Sequence, residues 1–175
     1  AYAFTGNTTA FVEMEDGVNE YGLAIGLTSV YPRQRKPGLN AGMLLRYLLE
    51  KCKNVSEALS HLYQLPIASA QTLTLADSFG AIALVECHSE RIETTASLDH
   101  DRSFVCATNR FHLAGMIGDN APEIDDWFAK ARFQTLFSTL REHKDFDPAF
   151  AQKLLSGAYG FICQYDRDTG KDTVW

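Results

Sequence analysis

The stretch Glu15-Asp16-Gly17-Val18-Asn19-Glu20-Tyr21-Gly22-Leu23-Ala24-Ile25-Gly26-Leu27 decides how the chain is read. Asp16-Gly17 carries turn chemistry, because glycine reaches positive φ without a steric penalty. From Tyr21 to Val30 follows a nearly continuous apolar run rich in small residues, among them Gly22, Ala24 and Gly26. A short run of this kind after a turn reads as a buried strand covered on both faces. Its glycines leave room for another layer or a ligand to approach the backbone.

Upstream, residues 1–10 have little periodicity and are expected to hold a strand leading into Phe11-Val12-Glu13-Met14. Downstream, Tyr31 to Gly38 is a polar loop placed to overhang a site. Asn40 has the chemistry of a helix cap, and the pattern predicts a helix to Lys51 with Met43, Leu44, Tyr47 and Leu48 on one face. Asn54 or Ser56 opens a second helix through Leu59 and Leu62 that ends before Pro66. Thr72 to Ala76 and Ala81 to Cys87 read as a hairpin joined by Asp77-Ser78-Phe79-Gly80. Arg91 to Thr95 and Phe104 to Thr108 read as further strands. Pro122 is expected at the first position of a long helix to about Arg141, and Asp147-Pro148 starts a shorter one to Leu155. Asp168-Thr169-Gly170 reads as a turn before a strand beginning at Thr173-Val174-Trp175. Strands, two helices and more strands predict one layered α+β domain over residues 1–175.

The 175 residues suffice for one core, with roughly 70% of the unfolded surface buried. Hydrophobic residues make up 46% and charged residues 22%, which excludes disorder, collagen and coiled coil. The net charge is -6 and no basic stripe is present, which argues against nucleic acid as a partner. No apolar run approaches the ~18 residues of a membrane span, so no membrane association is expected. Cys52, Cys87, Cys106 and Cys163 are scattered singly, a usage that suits a reducing compartment, and the expected location is the cytoplasm.

The residues offer no obvious nucleophile. There is no GxSxG elbow. Cys87 and His88 are neighbours in a strand and point to opposite faces, which makes Cys87 core and His88 surface. Cys52 sits at the negative end of a helix, where a thiolate is disfavoured. His61, His88, His100, His112 and His143 form no metal-binding spacing, so neither metal nor cofactor is expected. Two polar residues stand out by position. Asn109 follows an apolar strand, where an amide is a good donor to a developing oxyanion, although asparagine also favours plain turns. Arg132 shares a helical ridge with Phe128 and Leu136, and either snorkels or aims into a cleft.

Taken in order, these segments resemble a known family. The stretch from Glu15 to Leu27 is similar to the "DGxNExGL" strand of N-terminal nucleophile hydrolases. The subgroup is that of choloylglycine hydrolases, penicillin V acylases and isopenicillin-N acyltransferase-like proteins. Gly38-Leu39-Asn40, Asn54-Val55-Ser56-Glu57-Ala58, the hairpin ending in Val85-Glu86, and Ala107-Thr108-Asn109-Arg110-Phe111 (similar to "TNxF") continue the match. The wording around Asn19 to Leu27 and Leu48 to Leu59 leans towards the acyltransferase-like branch.

The resemblance implies a four-layer αββα sandwich, here incomplete at both ends, and maturation by autoproteolysis. It implies an N-terminal Cys nucleophile whose α-amine is the base, acting on linear amides through an acyl-enzyme. Asn109 falls on the family's oxyanion-hole Asn. Ser29, or its neighbour Thr28, falls where choloylglycine hydrolases place a second oxyanion contributor, and Thr28 is also a candidate substrate contact. Arg132 falls on a substrate-binding Arg. The family's nucleophile strand would precede Ala1, so the nucleophile is expected outside this chain. Expected partners are a small-molecule amide substrate and, left open, the N-terminal segment as a separate chain and a homo-oligomer. The rival readings are a non-catalytic remnant of the fold used for binding or assembly, and a ligand-binding module with the Tyr31 to Gly38 loop as lid.

Overall fold

In the computed structural model the described residues are 1–8, 10–97, 104–121, 126–162, 165–166 and 171–172. They divide into two compact units, Ala1–Ile124 and Asp125–Trp175.

The first unit is built on one antiparallel sheet in the order β1(Phe4–Asn7), β2(Asp16–Asn19), β3(Ala24–Val30), β4(Ala70–Ala76), β5(Ile82–His88) and β6(Arg91–Ser97). Two helices, α1(Ala41–Lys51) and α2(Val55–Leu62), are inserted between β3 and β4. Both start as their sequences predict. The Asn40 side chain accepts from the Met43 N–H, and that of Asn54 from the Glu57 N–H, so each satisfies an otherwise orphaned donor of the first turn.

Strand alternation sorts the sheet into two faces. Ile25, Leu27, Leu73, Leu75, Ala83, Val85 and Cys87 join the core built with Leu44, Leu45, Leu48 and Leu49 of α1 and Val55, Ala58 and Leu62 of α2. Each fully buried leucine contributes about 1.5–3 kcal/mol of transfer free energy. The α1 stripe therefore runs through Leu44, Leu45, Leu48 and Leu49, while Met43 and Tyr47, expected on it, are half-buried at its margin. Gly17 makes this packing close: a Cβ there would meet Leu49 Cδ1 at 2.6 Å and Thr5 O at 2.9 Å.

The opposite face carries Thr5, Asp16, Val18, Ala24, Gly26, Thr74 and Ala76, which with Val105 line an open concavity of about 610 Å³. Along β3 only Ile25 and Val30 are buried, Ser29 is exposed and the rest are half-buried, so the expected burial on both faces is corrected. Asp16-Gly17 also lies within β2, in register with Gly26 and Ile25, and is no turn. The reversal falls at residues 20–22, where Gly22 has φ +83° and donates to Asn19 O. Phe11 to Met14 forms a turn and coil beyond β1, with Phe11 wholly exposed.

Residues 104–107 are in no strand, and Thr108 makes only an isolated bridge with Arg110. The expected fourth strand is absent because the chain folds back there, with Arg110 N–H donating to Thr108 O at 2.6 Å.

The second unit holds α3(Ala129–Glu142), α4(Pro148–Leu155) and the hairpin β7(Tyr165–Asp166), β8(Lys171–Asp172). Asp147 caps α4 by accepting from Phe150 N–H at 2.6 Å, with Pro148 at its first position. Pro122 lies outside the described residues, as do 168–170, 173–175 and Cys163. Residues 126–128 are not helical: Trp127 and Phe128 have φ +52° and +56°, so α3 begins at Ala129.

Candidate active site

The segment 108–115 crosses the sheet face that lies away from the helices. Thr28, Thr72, Glu86 and Glu93 are register partners on β3, β4, β5 and β6, and so form one row across that face. The crossing segment rests on this row. Thr28 Oγ1 donates to Thr108 O at 3.1 Å and pairs with the Thr72 hydroxyl. Glu86 accepts the His112 N–H at 2.7 Å on one carboxylate oxygen and the Leu113 N–H at 2.9 Å on the other. Gly115 sits so close to Glu93 that a Cβ would meet its Oε1 at 2.4 Å. Asn120 fastens the same segment from beyond, accepting from Phe111 N–H at 2.9 Å and donating to Phe111 O at 3.0 Å.

Asn109 lies at the apex of the turn between Thr108 and Arg110, half-buried, and its Nδ2 donates to the main-chain carbonyl of Ser29 at 3.0 Å. It follows a bridge residue rather than the end of a ladder. That one hydrogen bond fixes the plane of the amide against β3.

Two of the expected site residues are thus brought together, Thr28 and Asn109, both tied to the Thr108 turn. Ser29 contributes its carbonyl there. Its side chain alternates to the helix face, where it lines a crevice of about 200 Å³ with Glu13, Asn40 and Ser69. Arg132 lies in the second unit, on α3, and is buried rather than snorkelling. Its Nε donates to Trp127 O at 2.8 Å and its Nη2 to Asp126 O at 3.3 Å. Burial lowers its pKa and Asp126 opposes the shift. The guanidinium so braces the positive-φ turn that precedes α3.

Glu86 is fully buried, and reading the sequence for nucleophiles missed it. Its signal was a carboxylate inside the apolar strand Ala81 to Cys87. Burial pushes its carboxyl above the ordinary range, the two N–H donors pull it down, and Glu93 raises it again.

The Tyr31 to Gly38 loop is tied down at several points. Arg33 donates to Asn120 O at 2.7 Å, and Lys36 pairs with Glu90 at 2.7 Å. Among the described residues no cluster of His, Cys, Asp or Glu is arranged to hold a metal, and no helix is long and apolar enough to cross a membrane.

The thiols of Cys52, Cys87 and Cys106 are all pushed up to about 12 by burial. Less than about 10⁻⁴ of each is thiolate at neutral pH, and the thiolate is the nucleophile. Iodoacetamide at pH 7.5 should leave all three unmodified in the folded protein and alkylate them after unfolding. Modification of any of them in the native state, read by peptide mass, would contradict this placement.

Comparison with solved structures supplies the context. Two variants of the conjugated bile acid hydrolase from Clostridium perfringens superpose over 99% and 98% of this chain, with TM-scores of 0.60 and 0.55 and 15% and 16% identity. Each match covers 68% of the hydrolase chain. At that identity they show the fold alone, which is the N-terminal nucleophile hydrolase fold. A penicillin V acylase from Agrobacterium tumefaciens is 29% identical over 49% of this chain and 30% of its own, with a TM-score of 0.40. The match therefore spans under a third of that acylase. None of the curated proteins matches. The sequence matches the acyl-coenzyme A:6-aminopenicillanic acid acyl-transferase family over residues 1–175, and the chain belongs to that family.

Proposed function

We propose that the complete protein hydrolyses or transfers the acyl group of linear amides, using an N-terminal cysteine outside these 175 residues. The observation that carries this reading is the anchored Asn109 turn on the sheet face away from the helices. The raised pKa of the Cys52, Cys87 and Cys106 thiols, the first two buried and the third half-buried, supports a nucleophile elsewhere.

In the proposed reaction the cysteine sulfur attacks the amide carbonyl carbon while its proton passes to the chain's own α-amine. The carbonyl oxygen becomes an oxyanion, which the Asn109 amide stabilises as a neutral donor. The C–N bond then breaks, the leaving nitrogen takes the proton back from the α-amine, and a thioester remains. Water or a second amine attacks that thioester, gives up a proton, and returns the thiol. Of the two neighbouring candidates on β3, Thr28 shares the face of the Asn109 turn and holds it by donating its one hydroxyl proton to Thr108 O, so we assign it support of the turn rather than a second oxyanion contact. Ser29 holds the Asn109 amide through its carbonyl. The test is turnover by the whole protein of a panel of linear amides that includes penicillin V and a conjugated bile acid. Release of free amine from at least one supports the reading, and inertness towards all of them counts against it.

For Arg132 the observed contacts favour bracing of the turn at 126–128 over contact with substrate. Arg132→Met keeps the apolar stem and removes the charge-assisted hydrogen bonds to Trp127 O and Asp126 O, so it should lower stability by about 2 kcal/mol or more. KM should stay as it was. A tenfold rise in KM with an unchanged melting temperature would restore Arg132 as a substrate contact.

A further inference from the structure

We propose that Glu86 is the positioning residue of the oxyanion turn: its buried carboxylate grips the His112 and Leu113 amides and thereby sets where Asn109 stands. The inference rests on the oxyanion reading of Asn109 given above and adds to it the part that holds the amide in place.

Three observations meet at this point. Glu86 is wholly buried, yet it points away from the apolar core shared with α1 and α2. Its two oxygens each take one N–H from adjacent residues, at 2.7 and 2.9 Å. The ionised carboxylate accepts strongly on both oxygens, whereas protonation makes one of them a donor and a poor acceptor. The grip also falls three and four residues beyond Asn109, while Thr28 holds the carbonyl one residue before it. The turn is therefore clamped on both sides of its apex, and Asn109 has little freedom to shift against Ser29 O. A displacement of about 1 Å at an oxyanion donor can cost on the order of 10²-fold in rate.

Among the described residues, the charged and titratable groups on this side of the sheet are Asp16 on β2, His88 on β5, Arg91 and Glu93 on β6, Arg110 and His112 on the crossing segment, and Asp119 just beyond it. His88 and Arg91 both reach Asp119, at 3.2 and 3.5 Å. Burial is the main cause of the raised Glu86 carboxyl, and Glu93, its register partner, adds a like charge in the same direction. Protonating Glu86 weakens one of its two bonds, so turnover should fall as pH drops through the raised value. The Glu93→Gln variant should move that acid limb to lower pH, because a repelling charge has gone.

The experiment uses the whole protein with penicillin V, or whichever panel amide it turns over. In Glu86→Gln the amide nitrogen faces a main-chain N–H, so kcat should fall on the order of 10²-fold with KM little changed. Amide exchange at His112 and Leu113, followed by NMR, should speed up in the same variant. If Glu86→Gln does not fold, the unsubstituted protein still decides. Its exchange at His112 and Leu113 and its turnover should change with one midpoint as pH falls, and that midpoint should drop in Glu93→Gln. Turnover that fails on Asn109→Ala but survives Glu86→Gln overturns the inference and leaves the oxyanion reading standing. Turnover that survives Asn109→Ala sinks the oxyanion reading instead. Native exchange rates at His112 and Leu113 in Glu86→Gln would then overturn the grip as well.

Discussion

Asn109→Ala in the whole protein should lower kcat by on the order of 10²–10³-fold, the usual result of removing one oxyanion-hole donor. KM should change little, because the amide acts on charge that develops only in the transition state. Stability should change little too. The half-buried side chain donates to Ser29 O, and the turn around it is held independently by Thr28, Glu86 and Asn120. A folded variant with near-normal turnover would place Asn109 among ordinary turn asparagines. A fall in kcat matched by a collapse of the melting curve would make its role structural. Steady-state kinetics and a thermal melt on the same preparation separate these results.

Asn19→Ala should be the most damaging substitution for stability among those considered, by about 3 kcal/mol or more, with a melting temperature lower by about 10 °C. One buried side chain makes four hydrogen bonds to main chain. Its Nδ2 donates to Leu49 O at 2.9 Å and Cys52 O at 2.7 Å, carbonyls at the C-terminal end of α1 that the helix leaves unpaired. Its Oδ1 accepts from Tyr21 N–H and Leu23 N–H, both at 3.1 Å, which shapes the turn into β3. Removing it strands four main-chain groups at once, three of them in buried hydrogen bonds. Asn19→Asp should rescue little: a carboxylate still accepts from the turn but cannot donate, and it meets the negative end of the helix dipole. A melting temperature within about 2 °C of the original for either variant would contradict this account.

Asn19 also shows what was legible in the sequence. The motif from Asp16 to Leu27 led to the right family, yet its Asp-Gly pair suggested a turn that is in fact strand β2. Local turn chemistry was outweighed there by pairing on both sides, with β1 and β3. The reversal moved to residues 20–22, where the Asn19 main-chain carbonyl accepts from Gly22 and its side chain accepts from Tyr21 and Leu23. That contact spans strands and helix, and no local pattern announces it.

Where elements are set by local chemistry, the reading was accurate. Asn40 and Asp147 cap the helices they were expected to open, and Asn54 rather than Ser56 caps the second, because capping involves only residues three apart. The hairpin at Asp77 to Gly80 is likewise local, with Asp77 Oδ1 accepting from Phe79 and Ala81 N–H and Gly80 at φ +86°. Expectations failed where long-range contacts decide. Phe104 to Ala107 has the composition of a strand, but the segment that follows turns back and is bound to the sheet through Thr28 and Glu86.

The site itself was half legible. Asn109 was found by its place in an ordered series of motifs, and Thr28 only as an alternative to Ser29. Period-two alternation separates those two neighbours once the register is known, and register is what the sequence leaves open. Glu86 was visible as a carboxylate in an apolar strand, and its meaning depends on amides more than twenty residues away.

The central claim is that catalysis belongs to an N-terminal cysteine lying upstream of Ala1 and acts through an acyl-enzyme. The most direct test is denaturing intact mass of the whole protein, acid-quenched after brief exposure to an amide it turns over, with N-terminal sequencing of every chain present. The account predicts a chain whose first residue is Cys and a mass gain of one acyl group on that residue. A protein that turns over the amide with no cysteine at any N-terminus, or with its acyl group on Cys52, Cys87 or Cys106, would contradict it.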